Sequence, residues 1–422
     1  MTVIGLDDTD SRELGMCTTY LATRVAERLA AAGGDVHRRL LVRLNPAVEH
    51  KTRGNAALAL HADVDPDTAF DVAAAELDDL AAVTDDRTSP GLVVASGRAG
   101  DVPDAVAAFA RRAVREFHDR NAAIDLLDEV GYRHRGWQGG RGRIGALAAV
   151  GAWAAFEEWT YEHISYRQFD RCGTPREVDE ASVFDAAEAG YPTVWDTVDR
   201  VEDETVCVPS APGPILHGVR GDDSEAVREV AAAIDSEPVE RAATFLTNQG
   251  TDAHLRPGSV GDLRDGHAYR VDGVVATDPE TRRGGHVFVD LRGDGDTLPC
   301  VAFEPTKRFR DRVRRLRVGD RLTVCGEVAD GTLKLEKFAV RDLVDTDRVV
   351  PDCPACGRRM ESAGRDQGYR CRDCGEQRAE KAERPLDRDL EPGWYEVPPC
   401  ARRHVAKPLV RGGFDAPVHP ER

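Results

Sequence analysis

The chain has 422 residues, enough for two to four domains and for more than one hydrophobic core. Its net charge of −18 would ordinarily argue against a nucleic-acid partner, because phosphate contacts need lysine and arginine. Lysine is rare and arginine common, and such an acidic, lysine-poor surface indicates a high-salt cytoplasm in which exposed charges are screened. Local basic patches are therefore more informative than the net charge.

Membrane and secreted classes are both disfavoured. No stretch approaches the roughly 20 apolar residues of a membrane-spanning helix. The first residues run directly into a predicted strand, without a basic leader or a cleavage-like segment. Four of the ten cysteines are paired in Cys-x-x-Cys units and the others are scattered, unlike a disulfide framework. We therefore expect a cytoplasmic protein with reduced thiols.

The first ten residues combine a predicted strand with three carboxylates. An apolar run from Val3 to Leu6 precedes Asp7, Asp8 and Asp10. Mg²⁺ usually takes one or two protein carboxylates and fills its other positions with water and substrate phosphate. These residues therefore predict a magnesium site, with an acidic turn in an ordinary βα unit as the alternative.

Two neighbouring segments predict phosphate binding. Thr18 and Thr19 begin a predicted helix, where free backbone N–H groups and the helix dipole favour an anion. The polar loop after the next strand gathers Lys51, Arg53 and Asn55 beside a glycine, a combination suited to a phosphate or a nucleotide. A solvated surface loop is the alternative for the second segment.

Strand-like and helix-like runs alternate from Val36 to Asp119, which predicts an α/β domain. The pattern closes on the glycine-rich segment from Arg135 to Gly145, whose centre is Gly140-Arg-Gly142. Glycines let the backbone approach a ligand closely and arginines supply charge, which suits a phosphate or a flipped base. A flexible link between domains is the alternative.

Residues 146–252 mix predicted strands and a helix and would form a small α+β sandwich. Residues 258–345 contain five strand-like runs, with one helix-like segment from Lys307 to Leu316 between the third and the fourth. This is the layout of an OB-fold, a barrel that commonly binds single-stranded nucleic acid, and Lys307 could face such a strand. Another small β-barrel is the alternative.

Two Cys-x-x-Cys pairs form the strongest local signal. The spacing of Cys353, Cys356, Cys371 and Cys374, with a glycine after each second cysteine, predicts a tetrahedral, structural zinc site of ribbon type. Redox-active dithiols are the alternative.

The C-terminal tail carries the densest basic cluster in the chain. It contains Arg402, Arg403, His404 and Lys407, which predict contacts with an RNA backbone. A solvated, disordered tail is the alternative.

The order of these motifs is more specific than any one of them. Along nearly its full length the chain resembles the archaeal tRNA(Ile) 2-agmatinylcytidine synthetase family, in the order Asp7-Asp8-Thr-Asp10, Cys17-Thr18-Thr19, Lys51-Thr-Arg-Gly-Asn55, Gly140-Arg-Gly142, Thr247-Asn-Gln-Gly250, a barrel, a ribbon and Arg402-Arg403-His404. Two departures alter local contacts: Arg143 replaces an expected apolar residue, and Pro212-Gly213-Pro214 replaces an expected Pro-Cys-Pro.

The resemblance implies a multidomain protein of α/β and α+β parts. In order, these would be an ATP-dependent kinase-like α/β domain (1–142), a ferredoxin-like domain (143–257), an OB-fold nucleic-acid-binding domain (258–347), a zinc ribbon (348–378) and a basic C-terminal tail (379–422).

It also implies a ligase reaction. ATP would drive attachment of agmatine to C2 of the wobble cytidine of the minor isoleucine tRNA with a CAU anticodon, switching its codon from AUG to AUA. Phosphorylation would make the cytosine 2-oxygen a leaving group. The implied cofactors are ATP, Mg²⁺ and structural Zn²⁺. The implied partners are this tRNA and agmatine, with no membrane and no obligate protein partner.

The resemblance also implies roles for individual residues. Asp7, Asp8 and Asp10 would serve phosphoryl transfer, with Asp7 and Asp8 on Mg²⁺, and Thr18 would become phosphorylated. ATP or phosphate would bind at Thr19, Lys51, Arg53, Asn55, Gly140 and Gly142, and the tRNA at Lys307, Arg402, Arg403, His404 and Lys407.

Two other interpretations stay open on the sequence. A noncatalytic RNA-binding protein would use the barrel, ribbon and tail, and would tolerate replacement of Asp8 or Thr18. A related tRNA-modifying ligase would attach another amine.

Overall fold

The computed structural model describes residues 1–51 and 54–422. Its helices are α1 (Thr18–Ala31), α2 (Pro66–Leu80), α3 (Asp104–Ala113), α4 (Arg120–Glu129), α5 (Arg143–Ala155), α6 (Glu180–Gly190), α7 (Ser224–Ala233) and α8 (Phe309–Arg314). Its strands are β1 (Thr2–Asp7), β2 (Asp35–Arg43), β3 (Ala56–Asp63), β4 (Gly91–Ser96), β5 (Arg133–Gly136), β6 (Thr160–Arg167), β7 (Val194–Trp195), β8 (Ile215–Gly221), β9 (Val239–Thr247), β10 (Leu255–Gly258), β11 (Ala268–Val275), β12 (Glu280–Thr281), β13 (Val287–Gly293), β14 (Asp296–Ala302), β15 (Arg321–Ala329), β16 (Thr332–Asp342), β17 (Thr346–Val349), β18 (Glu361–Ser362), β19 (Tyr369–Arg370), β20 (Gln377–Arg378), β21 (Ala382–Pro385), β22 (Gly393–Glu396) and β23 (Val418–His419).

The N-terminal half is built on one continuous sheet with the strand order β5-β4-β1-β3-β2-β9-β6-β8-β7. Strand β1 lies between β3 and β4 and is antiparallel to both. Strands β2 and β9 run parallel, with Leu40 opposite Leu246. This pairing joins the first predicted domain to the second through main-chain hydrogen bonds.

Helices cover both faces of this sheet around β1. Ile4 and Leu6 face one hydrophobic core with residues of α1 and α2, while Val3 faces another with residues of α3 and α5. The alternation follows from the two-residue period of a strand. Gly5 lies against α5, where a Cβ atom would come 2.2 Å from the carbonyl oxygen of Ala146. The end of β1 is therefore held between two helical layers.

Helix α5 is absent from the sequence predictions. It begins within the glycine-rich segment, for which the sequence predicts a ligand-binding turn or a flexible link. Its sequence is apolar on nearly all sides, because it is buried against β1, β3, β4 and α3. Such a helix lacks the 3.6-residue alternation by which surface helices are recognised.

The predicted five-stranded barrel is confirmed. Strands β11, β13, β14 and β16 are neighbours in that order, and β15 closes the barrel by pairing with both β11 and β16. Helix α8 lies between β14 and β15 in the chain, as predicted, and its Phe309 and Val313 enter the barrel core.

The C-terminal residues are ordered parts of the fold. Strands β18, β19 and β20 form a small sheet beside the four cysteines, and β22 joins the barrel sheet by pairing with β16. The tail therefore packs on the barrel instead of extending into solvent. No helix in the described part of the chain is long and apolar enough to cross a membrane.

Candidate active site

A cavity of about 320 Å³ opens at the end of β1. Its lining combines charged and apolar side chains, a combination that suits a nucleotide with its phosphates and its base. The charged residues include Asp7, Asp8, Asp10, Lys51 and Arg141, and the apolar residues include Leu44, Val48, Ala113, Phe117 and Ile144.

Asp7 ends β1 in close contact with the start of α5. A Cβ atom on Gly145 would lie 2.0 Å from Asp7 Oδ2, and one on Gly142 would lie 2.7 Å from the Asp7 carbonyl oxygen. Glycine is therefore required at both positions for this approach. Burial raises the pKa of Asp7 well above its usual range, and the charge of Asp8 raises it further.

Asp8 adopts a left-handed backbone conformation, with φ of 57°. Arg141 Nη2 donates one hydrogen bond to Asp8 Oδ2 at 2.8 Å and another to the carbonyl oxygen of Arg87 at 2.9 Å. Burial raises the pKa of Asp8, and the Arg141 charge opposes that rise. This ion pair links the acidic loop to the Gly140-Arg-Gly142 turn.

The donor chemistry of this site fits Mg²⁺. Asp7 and Asp8 are adjacent, half-buried carboxylates whose repulsion a hard divalent cation would relieve, and both line the cavity. Within the described residues, only the four cysteines bring three or more candidate ligand atoms within 4.8 Å of one another. The two aspartates would provide the one or two protein ligands typical of Mg²⁺ and would leave other positions to phosphate and water.

Thr18 and Thr19 lie at the start of α1, as predicted, and are buried. The Thr18 Oγ1 atom accepts a hydrogen bond from Thr9 Oγ1 at 3.1 Å, and Thr19 Oγ1 lies 3.0 Å from Cys17 Sγ. The lining of the cavity does not include either threonine. Both hydroxyls are packed behind the acidic loop.

Lys51 and Asn55 do line the cavity. Burial lowers the pKa of Lys51, and Asn55 Nδ2 donates a hydrogen bond to the carbonyl oxygen of Asn45 at 2.9 Å. Gly142 lines the cavity, while Gly140 lies outside its lining with φ of 63°. The predicted contact at Arg53 falls outside the described residues.

The predicted RNA-contacting residues divide into exposed and buried groups. Lys307 is partly exposed, and its Nζ lies 3.5 Å from Glu202. Lys407 Nζ lies 3.3 Å from Glu158 Oε1. Both ammonium groups are near the surface, where a phosphate could exchange with their carboxylate partners.

Two of the remaining tail residues are largely enclosed by the fold. Arg402 has a 5% exposed side chain and lies between Asp196, at 2.8 Å, and Glu396. His404 is half-buried beside His254, with ring centroids 5.0 Å apart and its Nε2 atom shielded from solvent. This placement does not favour phosphate contacts by Arg402 or His404.

Arg403 pairs with two carboxylates of the barrel, Glu327 at 2.8 Å and Glu336. Its side chain is 37% exposed. Arg403 therefore connects the tail to the barrel through ion pairs, while part of its side chain remains at the surface.

The four predicted zinc ligands come together. Sγ of Cys353 lies 3.3 Å from Sγ of Cys374, and Sγ of Cys356 lies 3.5 Å from Sγ of Cys371. Four thiolates about 2.3 Å from a tetrahedral centre would be separated by roughly these distances, so the set fits Zn²⁺. A small core that contains Met360 packs against the site, and a bound metal would supply most of the stability of so small a unit.

Sequence reasoning misses part of the cavity. Arg141 lies within the segment selected for phosphate binding, yet the sequence assigns it no role of its own. Phe117 and His118 follow α3, where no motif or spacing marks a site. Only the folded sheet brings that end of α3 beside the acidic loop.

Three domain families match this chain. Residues 3–138 match the TiaS TCKD domain, residues 140–254 the TiaS FLD domain, and residues 350–390 the TiaS C-terminal zinc ribbon domain. The matches cover the sheet, the cavity and the four cysteines.

Full-length relatives and solved structures agree with these matches. The tRNA(Ile) 2-agmatinylcytidine synthetase TiaS of Haloquadratum walsbyi is 60% identical over 100% of both chains, and that of Archaeoglobus fulgidus is 41% identical over 97% of each. A crystal structure of apo TiaS, an agmatidine synthetase for the same isoleucine tRNA, is 40% identical, with a TM-score of 0.87 over 98% of this chain and 99% of the other. The crystal structure of TiaS in complex with that tRNA, AMPCPP and agmatine is 37% identical, with a TM-score of 0.87 over 100% of this chain and 99% of the other. The chain therefore belongs to the TiaS family of tRNA(Ile) 2-agmatinylcytidine synthetases.

Proposed function

We propose that this protein attaches agmatine to C2 of the wobble cytidine of the minor isoleucine tRNA with a CAU anticodon, at the expense of ATP. The observation that carries this proposal is the acidic, nucleotide-sized cavity at the end of β1, in a chain 60% identical over its full length to a protein named for this synthesis. A solved relative holds its isoleucine tRNA, an ATP analogue and agmatine together, which supports the same set of ligands here.

The mixed lining of the cavity suggests how ATP binds. The apolar side chains of Leu44, Ala113 and Phe117 suit the adenine ring, and the Lys51 ammonium group suits the phosphates. The first turn of α5 also faces this region through Gly142, so the positive end of the helix dipole adds positive potential.

The carboxylates at the end of β1 are the proposed ligands of Mg²⁺. Asp7 and Asp8 would hold the ion, which when bound neutralises charge on the phosphates. Asp10 completes the acidic edge of the same cavity.

The first chemical step would activate the base. The cytosine 2-oxygen attacks the γ-phosphorus, the bond from that phosphorus to the β,γ-bridging oxygen breaks, and its electron pair leaves with ADP. The primary amine of agmatine then attacks C2 and loses a proton, and the C2–O bond breaks with release of phosphate. The protein contributes mainly position and charge, as is usual in phosphoryl transfer.

Thr18 is the proposed site of phosphorylation. Its hydroxyl is buried against Thr9, so phosphorylation would require the acidic loop to move and expose Oγ1. A phosphate at this position would gain from the N-terminus of α1.

The finer domain assignments remain part of the proposal. We assign a kinase-like domain to residues 1–142, a ferredoxin-like domain to 143–257, an OB-fold to 258–347, the ribbon to 348–378 and the tail to 379–422. The barrel's strand order supports the OB assignment, with tRNA contacts at Lys307, Arg403 and Lys407.

The decisive experiment incubates the purified chain, at high salt, with ATP, Mg²⁺, radiolabelled agmatine and a tRNA(Ile) transcript that carries a CAU anticodon. We expect label in the RNA that is lost when the wobble cytidine is replaced by uridine, and lost again in the Asp8→Asn variant. The matched control is Asp79→Asn, an exposed carboxylate on α2 outside the cavity lining, which should label normally. Tight RNA binding without any label would overturn the ligase assignment and favour a noncatalytic RNA-binding protein.

A further inference from the structure

A second, smaller cavity of about 140 Å³ lies beside the nucleotide cavity. The two share one wall, to which Asp8, Lys51 and Arg141 contribute. Arg12 and Arg87 line the second cavity and are not part of the lining of the first. A group held on the shared wall would therefore be reachable from both sides.

Arg141 is placed on this wall by a rigid backbone and a short network of hydrogen bonds. Its main-chain N–H donates to Ser89 Oγ at 3.0 Å, and the glycine on its C-terminal side fits only because it has no Cβ. The guanidinium then reaches Asp8 and the Arg87 carbonyl oxygen through the single nitrogen Nη2. About a third of the side chain stays exposed, so the head group can meet a ligand.

Phosphoryl transfer places specific demands on such a wall. The attacking and leaving oxygens lie in line on opposite sides of phosphorus, and negative charge is spread over the three equatorial oxygens. The transferred group therefore needs open space on two opposite sides and a cation beside its equatorial oxygens. A guanidinium suits this position because it is planar, remains protonated and can donate two parallel hydrogen bonds.

We propose that Arg141 binds the γ-phosphoryl group of ATP at the wall between the two cavities, and that its ion pair with Asp8 is the resting form of this contact. The proposal rests on the proposed function for the identity of the nucleotide. Binding of Mg²⁺ and ATP would bring a cation to Asp8 and an anion to Arg141. The ion pair between the two side chains would then be replaced by a contact of each with the ligand. The guanidinium keeps all its protons while the phosphoryl group passes from the bridging oxygen to the acceptor oxygen.

The first test compares the affinities of a non-hydrolysable ATP analogue and of ADP, both with Mg²⁺, by equilibrium titration. Loss of a charged hydrogen bond to the γ-phosphate should weaken binding of the analogue by about 10- to 100-fold in Arg141→Gln and leave ADP affinity within about twofold. Arg141→Lys, which keeps the charge, should recover part of the loss. The matched control is Arg133→Gln, which removes an exposed arginine paired with Asp67 and Asp71 and should change neither affinity.

Equal weakening of both nucleotides in Arg141→Gln would place the arginine on the α- or β-phosphate and overturn the proposal. Unchanged affinities for both would overturn it as well. Circular dichroism identifies a variant that fails to fold, in which case Arg141→Lys carries the comparison.

The second test addresses the resting ion pair. Without Mg²⁺, the Asp8→Asn variant should bind the ATP analogue about tenfold more tightly than the original protein, because Arg141 is no longer neutralised. The same change made together with Arg141→Gln should lose that gain, since the two residues act as a coupled pair. A gain that persists in the double variant would reflect charge removal alone and would contradict the resting-contact argument.

These measurements are independent of the ligase assignment. If agmatine is never incorporated but Arg141→Gln abolishes discrimination between the ATP analogue and ADP, the proposed function fails and the role of Arg141 stands. If agmatine is incorporated and discrimination is unchanged, the reverse holds.

Discussion

Asp7 shows how a single buried carboxylate connects function with stability. Its pKa is raised by burial and by Asp8, so in the absence of metal the folded state favours the protonated form. The pKa of Asp7 is higher in the folded protein than in the unfolded chain. The free energy of unfolding is therefore greatest at pH values below the unfolded-state pKa, and it falls as the pH rises through the folded-state pKa. An empty site therefore lowers stability at neutral pH.

We predict that Asp7→Asn makes the metal-free protein more stable at pH 7 and lowers ligase activity by about a hundredfold or more. The amide cannot ionise, so it removes the loss of stability, and it is a poor substitute for a metal-binding carboxylate. Thermal unfolding in EDTA at pH 4 and pH 7 gives the stability comparison, and agmatine incorporation gives the activity. The gain in melting temperature should shrink toward pH 4. A variant that is less stable than the original protein at pH 7 would contradict the argument.

The ion pair between Arg167 and Glu237, unlike Asp7, lies outside the cavity lining and has a structural role. Both side chains are fully buried, and Arg167 donates through Nε at 2.7 Å and through Nη2 at 2.8 Å. We predict that Arg167→Met lowers the free energy of unfolding by about 3–5 kcal/mol, because the buried Glu237 carboxylate loses its bidentate partner and keeps only Arg171, at 3.3 Å, and the Glu177 N–H. Denaturant titration at fixed salt measures the change.

Arg315 provides the comparison, since its ion pair with Asp389 at 2.8 Å is largely exposed. Arg315→Met should change the free energy of unfolding by less than about 1 kcal/mol. Similar losses in the two variants would show that burial does not decide the strength of these pairs.

At the scale of the element, α5 determines the geometry of the acidic strand end. Gly145 of this helix lies so close to Asp7 that a Cβ atom would overlap the carboxylate, and a Cβ atom on Gly151, further along the helix, would overlap the Val106 carbonyl oxygen. One contact shapes the cavity, and the other packs α5 on α3.

We predict that Gly145→Ala and Gly151→Ala each destabilise the fold by about 1–3 kcal/mol through overpacking. Only Gly145→Ala should also weaken binding of Mg²⁺ and the ATP analogue, because it displaces the Asp7 carboxylate. Denaturant titration and nucleotide titration, made on both variants, separate the two effects. Equal loss of nucleotide affinity in the two variants would mean that α5 acts on the site through stability alone.

The same element marks the limit of sequence prediction. The barrel strands could be predicted because they alternate or cluster apolar residues over a length typical of strands, and β6 because it combines threonine, isoleucine and tyrosine, which favour strands. Helix α5 could not, since its apolar residues surround the whole helix. The candidate site followed the same division: Asp7 and Lys51 belong to recognisable loops, whereas Phe117 reaches the cavity through tertiary packing alone.

At the scale of the whole molecule, the tail joins parts that are distant in sequence. Arg402 bridges Asp196 of the second predicted domain and Glu396 of β22, while Lys337 of the barrel lies 2.7 Å from Asp252. A basic run alone predicts RNA contact, because most of the carboxylates that neutralise it, Asp196, Glu327 and Glu336, lie far away in the sequence. Its burial depends on packing between domains, which local patterns do not encode.

This arrangement separates two roles that the sequence had grouped together. Lys307 is 39% exposed beside Glu202, whereas Arg402 is enclosed by two buried carboxylates. If Lys307 contacts an RNA phosphate, Lys307→Gln should reduce the slope of log affinity against log salt for tRNA by about 1 and leave stability unchanged. Arg402→Gln should leave that slope unchanged for the folded protein and lower the free energy of unfolding by about 3–5 kcal/mol, because Asp196 and Glu396 lose their shared cation. Filter binding across a salt series and denaturant titration, made on both variants, give the four values.

A reduced salt slope in Arg402→Gln at full stability would mean that the tail opens to bind RNA. The buried ion pairs would then describe only the unbound form of the protein.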